Sequence, residues 1–208
     1  MNASAEERFP TFDDFNDPSS LIYGIGNVGR QDDGLGWAFI DHLEAHRPRA
    51  HADLRRTYQL NLEDADLISG FARVLFVDAT KDQAVTSFAL TRPEPKLDFS
   101  FTSHAISVPS ILATTRQCFG RVPEVYLLAI RGYEWELQMG LTDSAKHNLS
   151  DSLARYLCAS GCAPISLNAG EQNAADGDSE MSRSALQVHR RRRCRGGPRA
   201  DAPAEGPT

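Results

Sequence analysis

Between about residues 20 and 160, short apolar runs alternate with amphipathic stretches. The two periodicities predict two kinds of element. Runs rich in β-branched and aromatic residues predict strands over 21–25, 54–59, 74–77, 86–91 and 125–130. The stretches "VLFV" and "VYLLAI" are almost wholly apolar, as central strands covered on both faces must be. "TSFALT" alternates better, which suits an edge or antiparallel strand.

A helix is predicted to start near Gly34, because Leu35, Phe39 and Leu43 repeat at every fourth position and form one apolar stripe. Further helices are predicted over 62–69, over 108–118 with Val108, Ile111 and Leu112 inward, and over 143–157 with Ala145, Leu149, Leu153 and Leu157 on one face. Strands alternating with helices predict an α/β class.

The flanks differ in character. Residues 1–18 are polar and acidic and are read as a mobile leader; they lack the basic and apolar regions of a secretory signal. From 161 to 208 the chain is rich in Gly, Ala, Pro and charge and poor in large apolar residues, so it is expected to be disordered. Its run "HRRRRCR" is read as a solvated tail in preference to a site for an acidic partner or nucleic acid. The intervening segment, 19–160, is long enough to bury a core of its own.

Charge and cysteine content narrow the function classes. Seven of the 22 basic and six of the 28 acidic residues lie from Pro164 onward, which leaves the preceding part at a net charge of −7. That is a poor surface for nucleic acid. No apolar run is long enough to span a membrane, and a monomeric cytoplasmic protein is expected. Cys118, Cys158, Cys162 and Cys194 are irregularly spaced and are read as reduced, structural thiols rather than a zinc site.

The candidate chemistry begins at "GIGNVG", Gly24 to Gly29, just after the apolar stretch Leu21-Ile22-Tyr23. The string satisfies G-x-G-x-x-G, the dinucleotide fingerprint. In that fingerprint the helix opens within the glycine turn and its amides meet the pyrophosphate. Here Arg30-Gln31-Asp32-Asp33 intervenes, and two carboxylates stand where the phosphates would lie. The second predicted strand also ends in Tyr58-Gln59 rather than in an acid. A nucleotide enzyme is therefore disfavoured. One of the two aspartates can cap the following helix, but one helix end leaves the other unexplained.

Two further residues fall at the same place in the predicted fold. "VLFVDAT" delivers Asp78 at the carboxyl end of a buried strand, and "FTSHAIS" delivers His104 just before a helix. With parallel strands, Asp33, Asp78 and His104 meet at the sheet edge where α/β folds build their sites. Two carboxylates and an imidazole suit a borderline divalent ion such as Ni²⁺ or Zn²⁺. No serine-protease elbow and no H-E-x-x-H zinc motif occurs.

In order and spacing, "GIGNVGRQDDGLG", "VLFVDAT" and "SHAIS" resemble the motifs of the NiFe-hydrogenase maturation endopeptidases. The resemblance implies a three-layer helix–sheet–helix fold with a mixed, mostly parallel, twisted sheet of about five strands. It implies removal of a C-terminal extension from the hydrogenase large-subunit precursor after nickel insertion. Asp33, Asp78 and His104 then fall on the metal-coordinating, catalytic positions. The nickel would arrive with the substrate, with Zn²⁺ or Cd²⁺ as surrogates, so no resident cofactor is expected. Asp32 or one oxygen of Asp33 would be the general base. "YQLNLEDA", Tyr58 to Ala65, departs from the acidic-Gly-Gly-Thr turn of many members and looks like the branch serving soluble, NAD-coupled hydrogenases. It puts Gln59 forward as a cleft residue. In "IRGYEWEL", Arg131 could meet a substrate carboxylate, and Tyr133 or Trp135 could hold peptide. The alternatives are a non-catalytic chaperone that senses a loaded metal site and a hydrolase with its own divalent metal.

Overall fold

The computed structural model describes residues 10–47, 51–97 and 106–157. His104, the expected disordered tail, and Cys158, Cys162 and Cys194 lie outside the described residues. Five strands form one sheet in the order β2-β1-β3-β5-β4: β1 Ser20–Ile25, β2 Asp53–Thr57, β3 Arg73–Thr80, β4 Phe88–Thr91 and β5 Glu124–Arg131. β1 pairs in parallel with β2 and β3, and β3 pairs in parallel with β5. β4 is the antiparallel edge strand, paired with β5. The sheet is thus mixed and mostly parallel.

The period-2 pattern of the central strands divides two apolar layers. Ile22, Leu75, Val77, Leu128 and Ile130 face one layer, with Phe39 and Leu43 of α2 (Leu35–His46) and Leu149 and Leu153 of α5 (Asp143–Leu157). Leu21, Tyr23, Val74, Phe76 and Val125 face the other, with Ile68 of α3 (Asp64–Ser69) and Ile111 and Leu112 of α4 (Val108–Phe119). Both faces of the sheet are covered, which is why its central strands are apolar throughout. α4 shows its boundaries in sequence. Ser107 caps its first turn through Ser110 N–H at 3.3 Å, and Gly120 ends it in the left-handed region at φ 69°.

Three expectations change. The leader is not mobile throughout, because α1 (Phe12–Phe15) lies within it and buries both phenylalanines in the core. Phe15 sits edge-on to Tyr126 at 5.9 Å between ring centroids, and full burial of such a ring contributes roughly 2–3 kcal/mol. β3 runs past Val77 to Thr80, because its pairing with β5 continues as far as Thr80 against Arg131. β2 stops at Thr57, whose carbonyl is taken by Gly26 N–H at 3.0 Å and the Trp37 indole at 2.9 Å.

Candidate active site

Glycines at the end of β1 and in the first turn of α2 serve backbone packing. A Cβ on Gly24 would lie 2.4 Å from the Gly36 carbonyl oxygen, and one on Gly36 would lie 2.2 Å from that of Ile25 and 2.5 Å from that of Val77. Helix α2 therefore rests directly on the ends of β1 and β3, an approach only glycine permits. Gly26, at φ 133°, would drive a Cβ to 1.8 Å from the Asp33 carbonyl oxygen. This contact seats the short 3-10 turn Gln31–Gly34 against the end of β1. Backbone packing thus accounts for Gly24 and Gly26 of the fingerprint string without a pyrophosphate.

Two of the three predicted site residues are described. Asp33 is held by Asn27, whose N–H donates to its Oδ2 at 3.0 Å, and the Asn27 side chain accepts from Gly29 N–H at 2.8 Å. The asparagine of the motif thus shapes the turn that presents Asp33. Asp78 sits inside the carboxyl end of β3, with the same parity as Val74 and Phe76, and its Oδ1 accepts from Ala79 N–H at 2.8 Å. Burial pushes the Asp78 carboxyl up to about 7, against the backbone hydrogen bond from Ala79 and with the charge of Asp33 adding to the rise. Two carboxylates at this edge favour a proton or a cation between them. Among the described residues, no group of three or more His, Cys, Asp and Glu side chains is placed to hold a metal ion.

Neither aspartate of the pair caps a helix through its side chain, since Gly34 occupies the N-cap of α2. Asp32 is fully buried and reaches a remote loop instead. Its Oδ2 accepts from Tyr133 N–H at 2.8 Å, Glu134 N–H at 3.1 Å and the Thr142 hydroxyl at 2.8 Å. Its Oδ1 accepts from Thr142 N–H at 2.7 Å. A carboxylate that is fully buried and already accepts four hydrogen bonds, three at Oδ2 and one at Oδ1, is withdrawn from a substrate. The expectation that Asp32 acts as a general base is therefore corrected.

Gln31 extends the same junction. At φ 48°, its N–H donates to the Gln138 carbonyl at 2.8 Å. Its side chain donates to Glu134 Oε2 at 2.8 Å and accepts from Glu136 N–H at 2.9 Å. The loop from Gly132 to Thr142 is thus tied to the turn that carries Asp33. This junction went unread in the sequence, because its partners lie about 100 positions apart.

The other candidates are placed as follows. Gln59 is exposed after β2, and its carbonyl accepts from the Thr57 hydroxyl at 2.7 Å and from Asn61 at 3.3 Å. The Arg131 guanidinium bonds the Lys81 carbonyl and lies over the Tyr133 ring, 5.4 Å from its centroid. Tyr133 remains 45% exposed while its hydroxyl accepts from Asn148 at 3.0 Å. The Trp135 ring lies under Lys81 Nζ at 4.5 Å. Surface hollows elsewhere include one by Asn16, Ser20 and Arg73 at the amino edge of the sheet and another by Arg92, Arg116 and Val122.

This architecture matches solved structures. The hydrogenase maturating endopeptidase HybD from E. coli aligns over 68% of this chain and 93% of its own, with 19% identity and a TM-score of 0.54. The chain has the fold of the hydrogenase maturation endopeptidases. The NiFe-hydrogenase maturation protease HycI from Thermococcus kodakarensis KOD1 aligns over 64% of this chain and 86% of its own, at 18% identity and a TM-score of 0.53. The endopeptidase HycI from Escherichia coli aligns over 73% and 99%, at 19% identity and a TM-score of 0.52. No protein-family model and no curated protein matches the chain. Among the described residues, no helix is long and apolar enough to cross a membrane.

Proposed function

We propose that this chain is a cytoplasmic endopeptidase that removes the C-terminal extension of a NiFe-hydrogenase large-subunit precursor after nickel insertion. The observation that carries the reading is the Asp33–Asp78 pair at the carboxyl edge of a sheet with this fold. Burial and like charge leave Asp78 poised between proton and cation near neutral pH. The precursor's nickel is the cation we assign to it. Asp33 and Asp78, joined by His104, are the ligands proposed for it, and the chain holds no metal of its own.

The chemistry follows from that placement. A peptide carbonyl beside a bound divalent ion is polarised, and water near it is acidified. One oxygen of Asp33 is occupied by Asn27 N–H, which leaves the other for metal or for the water proton. Water adds to the carbonyl carbon, the C–N bond breaks, and the nitrogen leaves as the protonated amine of the released peptide. Asp32 takes no part in proton transfer, since its lone pairs are already shared among four donors. The reading is tested by following the intact mass of a nickel-loaded precursor with the wild-type chain and with Asp78→Asn. Loss of a C-terminal peptide with the wild type alone is expected; equal processing by Asp78→Asn would overturn the assignment.

A further inference from the structure

We infer that Asp32 is a positioning residue for this reaction, fixing the loop from Gly132 to Thr142 as a rigid wall of the substrate cleft. The inference rests on the endopeptidase reading and assigns a task to a residue that the chemistry leaves unused.

The geometry has three parts. First, Asp32 is the hub of the junction. It takes the two N–H groups that open the loop, at Tyr133 and Glu134, and both the N–H and hydroxyl of Thr142, which closes it. Its own N–H donates to the Glu134 carbonyl at 3.1 Å, so the contact runs in both directions. Second, Thr142 passes the constraint on. The hydroxyl that donates to Asp32 accepts from Ala145 N–H at 3.2 Å, in the first turn of α5. Third, no side chain fits at the base of the loop. A Cβ on Gly132 would lie 2.9 Å from both the Asp32 Cβ and the Trp135 ring.

The loop held in this way is unusual in what it exposes. Leu137 is 85% and Met139 71% exposed, and they flank Gln138, whose carbonyl is pinned by Gln31 N–H. Ordering a segment costs conformational entropy, and burying its own apolar side chains is the usual compensation. Here those side chains point to solvent, and the order is supplied by a buried carboxylate beside the residue assigned to the reaction. Pre-organising a binding segment lowers the cost of ordering it when the partner arrives. Asp33 has its own anchor in Asn27 N–H, so releasing the loop disturbs binding more than the reacting carboxylate.

The test uses the full chain and the nickel-loaded precursor, with KM and kcat measured for Asp32→Asn, Thr142→Val and Thr142→Ser. An Asn amide at 32 would turn a donor toward a ring of donors, so this variant can fail to fold; Thr142→Val removes one hydroxyl bond and retains the N–H bond. Thr142→Val is expected to raise KM roughly tenfold with kcat changed less than threefold. Thr142→Ser, which keeps the hydroxyl, is expected to restore KM. Amide exchange over 133–141 is expected to speed up in Thr142→Val and not in Thr142→Ser. Wild-type cleavage with unchanged KM in Thr142→Val would overturn this inference alone. A precursor left intact by the wild type would overturn the endopeptidase reading and this inference with it.

Discussion

Asp33 and Asp78 are coupled: burial, and then the negative charge of Asp33, raise the Asp78 carboxyl to about 7. A carboxyl raised from its ordinary value near 4 favours folding while protonated. That contribution is complete below the unfolded value and is lost as pH rises through about 7. Asp78→Asn is therefore expected to stabilise the protein at pH 8 by about 1–3 kcal/mol, with little change at pH 4. Urea unfolding at the two pH values checks this, and equal stability changes at both would count against it.

The same carboxyl governs cation binding. A divalent ion must displace the Asp78 proton, so affinity is expected to level off above pH 7. Below pH 7 it should fall by about tenfold per unit as the proton competes. Calorimetric titration of the free protein with Ni²⁺ from pH 5.5 to 8 reads this. A flat profile across pH 7 would separate Asp78 from the metal.

His42 carries an acid response of the opposite sign. Burial, then the charges of His46 and Arg47, lower its pKa below the ordinary histidine value. Its ring stacks on His46 at 4.0 Å, and its Nε2 is buried without a hydrogen-bond partner among the described residues. The stability of the neutral form is present above about 6.5 and is lost as pH falls through the lowered value. His42→Leu is expected to narrow the gap between melting temperatures at pH 7.5 and pH 5. A gap as wide as the wild type's would refute the assignment.

The close approach of α2 to the sheet makes a steric prediction. Gly36→Ala places a methyl against two backbone carbonyl oxygens and is expected to cost roughly 3 kcal/mol or more. Gly29→Ala meets only the Asn27 side-chain oxygen at 3.2 Å and is expected to be far milder. Chemical denaturation of both variants compares them directly.

Much of this architecture was legible in the chain because it is local. The stripe Leu35, Phe39, Leu43 marked α2, and Val108, Ile111 and Leu112 marked the buried face of α4. The apolar run ending in Asp78 marked a central strand, although the strand continues to Thr80 because its pairing partner does. Asp78 was visible at the end of a buried strand, and Asp33 in the turn that follows the first strand. What stayed hidden depends on distant partners. Asp32 reads as a cap in sequence, and only the fold brings Tyr133, Glu134 and Thr142 onto it. Phe12 and Phe15 sit among acids and serines, so their burial followed from tertiary packing rather than from a periodic signal.

In the proposed reaction a metal-loaded precursor is cleaved at this carboxylate edge. The most direct measurement is the intact mass of one large-subunit precursor, with and without nickel, after incubation with the wild-type chain. Loss of a C-terminal peptide from the loaded form alone is the predicted result. An unchanged mass of the loaded precursor, with the two proteins bound to each other, would contradict it and point to a chaperone that senses the metal without cutting.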